Sequence, residues 1–139
     1  MTLSTTTSLP IKYGRVINLN NFECQDDVFG WCPDIIDFKP DYSINVLSCK
    51  KRSFEVEKLE RHKNTKEIIV PIDGNVLIPL AIGDDCQDRL TFSLSQGQAL
   101  ELNESVWHFI PYPQEKDVNC LVIFKQNTGL NDIEFKQLS

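Results

Sequence analysis

Long apolar runs are missing from this chain of 139 residues. None reaches the roughly 20 residues that a membrane-spanning helix needs, so the sequence predicts no membrane partner. Residues 1–9 are rich in Ser and Thr but lack the basic start and apolar stretch of a secretory signal. Residues 1–12 therefore read as a loose N-terminal segment, and the expected location is cytoplasmic. Basic residues are outnumbered: 14 Lys and Arg against 20 Asp and Glu leave a net charge of −6. That excludes the clustered cationic face on which nucleic acid depends. No Cys-x-x-Cys pair occurs among the five cysteines, which argues against a zinc knuckle or a thioredoxin-like centre. Odd in number and widely spread, they read as reduced thiols, with Cys49 and Cys120 as core fillers inside apolar runs. Nothing places a cysteine beside a histidine, so a thiol nucleophile is not indicated. Repeats, low-complexity tracts and a sustained 3.6-residue apolar period are also absent. Histidine itself is scarce, and only His62 and His108 are present.

What is there is a series of short β patterns. Strands are expected within residues 13–19 and over residues 43–49, 53–62, 67–72, 75–82, 89–94, 98–102, 106–110, 119–124 and 133–138. Turn signals separate them every eight to twelve residues or so, which predicts one all-β domain, residues 13–139, built as a sandwich or barrel. Residues 21–41 break the pattern. Their scattered Phe22, Phe29, Trp31 and Phe38 suggest a folded loop whose aromatics plug one end of the core, or alternatively a lid over a site. Lys50-Lys51-Arg52 and Asp84-Asp85 read as solvated turns.

The richest stretch runs from Glu60 to Gly74. A strand places Glu60 and His62 on one face and turns Arg61 away. Residues 63–66 then make a turn, and Glu67 opens the next strand. If the two strands pair antiparallel, Glu60, His62 and Glu67 share one patch. Such a patch is either a metal site or a set of buried polar groups that satisfy one another. Tyr112 has the parity of His108 and is a candidate to line the same hollow, whereas Trp107 and Phe109 have the opposite parity and are expected between sheets or at a subunit contact.

Two spacings carry a resemblance. Phe54-x5-Glu60-x-His62-x4-Glu67-x6-Gly74 keeps the spacing of the first cupin motif, and Gly97-x5-Asn103-x-Ser105-x2-His108-x3-Tyr112 keeps that of the second. Both histidines fall on ligand positions, while Glu60 replaces the first histidine of the usual motif. Within the cupins, Leu59-Glu60-Arg61-His62-x4-Glu67-x3-Pro71-x2-Gly74 and Gln98-Ala99-Leu100-x-Leu102-x2-Ser105-x-Trp107-His108 resemble the ureidoglycolate lyase family, formerly called ureidoglycolate hydrolases. The resemblance implies a cupin-type double-stranded β-helix, or jelly roll. It implies a divalent metal (Ni, Mn, Fe or Zn) on His62, His108, Glu60 and Glu67, with Glu60 or Glu67 carrying protons. It also implies a small carboxylate substrate met by Tyr112 and by Arg89, the residue nearest the family's arginine. Cleavage of a C–N bond to glyoxylate and urea would follow, and a homodimer is expected. Another cupin enzyme, an isomerase or dioxygenase, and a non-catalytic small-molecule binder are the alternatives.

Overall fold

A computed structural model describes residues 5–138 of the chain. Two sheets pack face to face, and among the described residues no helix is long and apolar enough to cross a membrane. The first sheet is assembled from β1 (Thr5–Thr6), β6 (Lys58–Arg61), β8 (Val76–Ile82), β9 (Asp88–Leu94), β11 (Trp107–His108), β12 (Tyr112–Pro113) and β14 (Glu134–Gln137). Its order is β1-β9-β8-β11-β6-β14, with β12 also on β8. The second sheet contains β2 (Gly14–Asn18), β5 (Tyr42–Cys49), β7 (Glu67–Pro71), β10 (Gln98–Leu102) and β13 (Val118–Lys125), in the order β2-β10-β7-β13-β5. A small hairpin, β3 (Cys24–Gln25) and β4 (Gly30–Trp31), and one short helix, α1 (Thr128–Asn131), complete the elements among the described residues.

Alternation builds the core. Ile69, Leu100 and Leu102 of the second sheet face Ile78, Leu80, Phe92 and Leu94 of the first, all nearly inaccessible to solvent. Two glycines are fixed by close approach. A side chain at Gly14, where φ is 147°, would meet the Glu101 carbonyl oxygen at 2.0 Å, because β2 lies tight against β10. At Gly74 it would meet Val118 Cγ2 at 2.6 Å, so the closing glycine of the first motif answers to packing.

Several expectations are corrected. The strand over residues 53–62 shrinks to Lys58–Arg61, because its neighbour β14 ends opposite Lys58 and only the Leu138 N–H reaches further, to the Glu57 carbonyl at 2.8 Å. More consequentially, β6 and β7 are not paired: they belong to opposite sheets, and residues 62–66 carry the chain across. The aromatics of residues 21–41 do not plug the core. Phe22, Phe29, Trp31 and Phe38 are 40–58% exposed, and it is Ile35 and Ile36 that pack, over Ile17, Ile68, Ala99 and Ile123 on the outer face of the second sheet. Of the expected loose residues 1–12, residues 1–4 lie outside the described residues. Thr5 and Thr6 instead pair in parallel with Thr91 and Phe92. Trp107 sits on the outer face of the first sheet with Leu59, Ala81 and Cys86, not between the sheets.

Candidate active site and metal centre

The crossing from β6 to β7 builds the site. Glu60 on β6 lies in register with His108 on β11, and both point between the sheets. His62 follows the last residue of β6 on the same parity. Glu67 opens β7 in the opposite sheet, in register with Leu102 of β10. The expected patch therefore exists, but it spans the two sheets instead of lying on one hairpin.

Glu67 is the hub. Its Oε1 is 3.2 Å from His62 Nε2 and its Oε2 is 3.2 Å from His108 Nε2. All three side chains are at least nine-tenths buried. Each ring is anchored on its far side. His62 Nδ1–H donates to the Asp132 carbonyl at 2.7 Å, and His108 Nδ1–H donates to the Val106 carbonyl at 3.0 Å. A carbonyl can only accept, so both Nδ1 atoms carry protons. An Nε2 lone pair facing a carboxylate then needs a positive charge between them, either a proton or a cation. With protons there, the charges support one another. Burial opposes ionisation of Glu67, but the two imidazoles outweigh it and hold the carboxyl at about 2. Burial likewise opposes the His108 imidazolium, but Glu67 wins and raises it to about 9. His62 moves up as well, its desolvation outweighed by Glu67.

The residues also fit a cation. One ligand atom each from Glu60, His62 and His108 lies within 4.8 Å of the others, and Glu67 stands beside both rings. Two tautomer-locked imidazoles with carboxylates form a donor set suited to Fe, Mn, Ni or Zn.

These groups floor a cavity of about 330 Å³. Its walls are Leu47 and Val122 from the second sheet, Phe124, whose ring meets His62 edge-on at 5.6 Å, and the segment 109–111. Phe109, expected between the sheets or at a subunit contact, lines it. No residue of the 21–41 segment lines it.

Two expected substrate contacts are not brought to this cavity. Tyr112 pairs with β8 after Pro111 breaks the alternation, and its hydroxyl donates to the Glu55 carbonyl at 3.1 Å. Its ring packs on Phe54 and beneath Arg52, whose guanidinium carbon is 3.8 Å from the ring centroid. Arg89 is on β9, two strands from β11, and its Nε donates to the Cys86 carbonyl.

Others were not foreseen. Arg52, read as part of a solvated turn, donates to the carbonyls of Ile110 (2.9 Å) and Pro111 (3.2 Å) and so holds the cavity wall. Asp132 does more. Its carbonyl orients His62, while its carboxylate accepts the backbone N–H groups of Lys63 (2.9 Å) and Asn64 (2.8 Å). One residue thus ties the β6–β7 crossing to the turn after α1. Ser105, in the position of a motif glycine, adopts φ 67° and donates its N–H to the His62 carbonyl at 2.8 Å.

The fold is that of solved cupins. A 3,4-ketoisomerase from Helicobacter canadensis superposes with a TM-score of 0.63 at 17% identity, over 86% of this chain and 88% of that one. The 3,4-ketoisomerase QdtA from Thermoanaerobacterium thermosaccharolyticum, in complex with TDP-4-keto-6-deoxyglucose, gives 0.60 at 18% over 91% and 88%. Oxalate decarboxylase from Bacillus subtilis gives 0.51 at 17% over 70% of this chain and 24% of that one. At these identities the likeness concerns architecture alone. No curated protein matches the sequence. The family model described as ureidoglycolate lyase does, over residues 8–138, and with that span matched the chain belongs to the ureidoglycolate lyase family.

Proposed function

We propose that the cavity catalyses C–N cleavage of a ureido-substituted 2-hydroxy acid, giving a 2-oxo acid such as glyoxylate and a urea. The observation that carries this reading is the convergence of two anchored Nε2 atoms on one buried carboxylate, with a second carboxylate alongside, at the floor of a cavity. Among the described residues no Lys or Arg lines that cavity, so apart from the two imidazoles a substrate carboxylate finds no cationic side chain there. A divalent cation on Glu60, His62 and His108 would supply the Lewis-acidic anchor for the substrate's carboxylate and hydroxyl oxygens.

The chain's own residues do the rest. Glu67, beside both rings, accepts the hydroxyl proton as the C–O bond becomes C=O. The electron pair of the C–N bond leaves with nitrogen, and Glu67 returns the proton to it. His62 and His108 keep their orientation because their Nδ1 protons are committed to backbone carbonyls. The test is to incubate the purified, divalent-cation-supplied protein with ureidoglycolate and measure both products. Glyoxylate and urea should appear in equal amounts; neither appearing above the uncatalysed rate would reject the reading.

A further inference from the structure

The walls of the cavity differ in chemistry from its floor. Beyond Glu60, His62, Glu67 and His108, the one polar lining side chain among the described residues is Asn45, at the rim. Its Nδ2 already donates to Ser43 Oγ and to the Val122 carbonyl, both at 3.1 Å. The remaining lining side chains are carbon, among them Leu47, Val122 and Phe124 of the second sheet and Phe109, Ile110 and Ile133. The volume, about 330 Å³, is at the low end of the roughly 300–1,000 Å³ typical of small-molecule pockets and suits one compact ligand. A fully polar ureido acid would engage the floor with its hydroxy-acid head. Its far end would then lose water against carbon, with few side-chain partners to replace it. An apolar group in that position would instead gain from burial.

Resting on the lyase reading above, we infer that the preferred substrate joins an oxygen-chelating 2-hydroxy-acid head to an apolar substituent on its distal ureido nitrogen. The head meets the carboxylate–imidazole floor, and the substituent lies against Leu47, Val122 and Phe124. The bond changes are those already described, and the urea leaves bearing the substituent. Each buried methylene should tighten the complex about fourfold until the cavity is full. The two walls therefore select for shape and greasiness, whereas the floor selects for the acid.

Two measurements on the full chain test this. The first is the rate of glyoxylate release from ureidoglycolates bearing hydrogen, methyl, butyl or phenyl on the distal nitrogen, glyoxylate being common to all. The second is calorimetric binding of glycolate, lactate, 2-hydroxyhexanoate and mandelate, with and without added divalent cation. Expected are kcat/KM and affinity that climb from the smallest member to the butyl and phenyl members, with a slope flattened by Leu47→Asn, a change at a half-buried position. A flat or falling series overturns the inference while leaving the lyase chemistry standing. Binding that climbs without glyoxylate release from any member keeps the substrate class and rejects the chemistry. Neither binding nor release overturns both, and an undiminished slope in Leu47→Asn overturns the placement of the substituent.

Discussion

Strands β6 and β11 each present two chemistries, one per face. On the outer face, Arg61 lies 4.3 Å above the Trp107 ring and pairs with Asp84 at 3.2 Å and Glu134 at 2.9 Å. On the inner face, one residue further along the chain in each case, His62 and His108 flank Glu67. Both are ionic clusters around one buried charge. The outer carboxylates, however, are 92% and 43% exposed, so water shares their charge and the cluster serves as a lid on a buried tryptophan. Inside, anion and both potential cations are at least nine-tenths buried and adjoin an empty volume. A buried charge thus becomes a candidate for chemistry when its partners are also dry and there is room beside them for a ligand.

Substitutions on the two faces should separate these roles. Glu67→Gln, nearly isosteric, removes the proton carrier and should lower glyoxylate release about 10²- to 10⁴-fold; steady-state rates of the folded variant check this. Asp132→Ala keeps the carbonyl that holds the His62 ring but removes the carboxylate that ties down the crossing loop, and should weaken divalent-cation affinity about 10-fold, with Asp132→Asn losing less; titration calorimetry measures both. Arg61→Ala on the outer face should cost about 1–2 kcal/mol of stability through lost stacking on Trp107, read by urea denaturation, and leave cation affinity within twofold of wild type. Equal damage from the outer and inner substitutions would erase the distinction.

Acidity sharpens the same contrast more gently. His108 sits at about 9 when folded, above its ordinary 6.5, so the stability from its imidazolium is complete below about pH 6.5 and is lost as pH rises through 9. Glu67 sits at about 2, below its ordinary 4.5, so its contribution is complete above about pH 4.5 and is lost as pH falls towards 2. Denaturation of the metal-free protein between pH 3 and 10 should place the cluster's stabilising window between those limits. His108→Ala should remove most of the alkaline decline.

Much of this was legible in the sequence, though not always for the right reason. Parity on β6 correctly set Glu60 and His62 against Arg61, because an alternating strand with one face in a core has little freedom to slip. The same parity failed at Tyr112, because Pro111 lies between it and β11, and the ring turns to Phe54 and Arg52. Glu67 reached the patch by crossing between sheets, which local pattern does not distinguish from a hairpin. Asp132 was invisible because its hold on His62 runs through its backbone carbonyl, which any residue type possesses. The aromatics of residues 21–41 misled because hydrophobic character marks what can be buried, while Ile35 and Ile36 were the ones positioned over the outer sheet face.

The most direct test of the site is calorimetric titration of the chelator-treated protein with Mn²⁺, Ni²⁺ and Zn²⁺, alongside His108→Ala. The account expects one equivalent of at least one of these ions per chain, with protons released on binding and binding lost in the variant. Failure of all three to bind the wild type, or equal binding to His108→Ala, would contradict it.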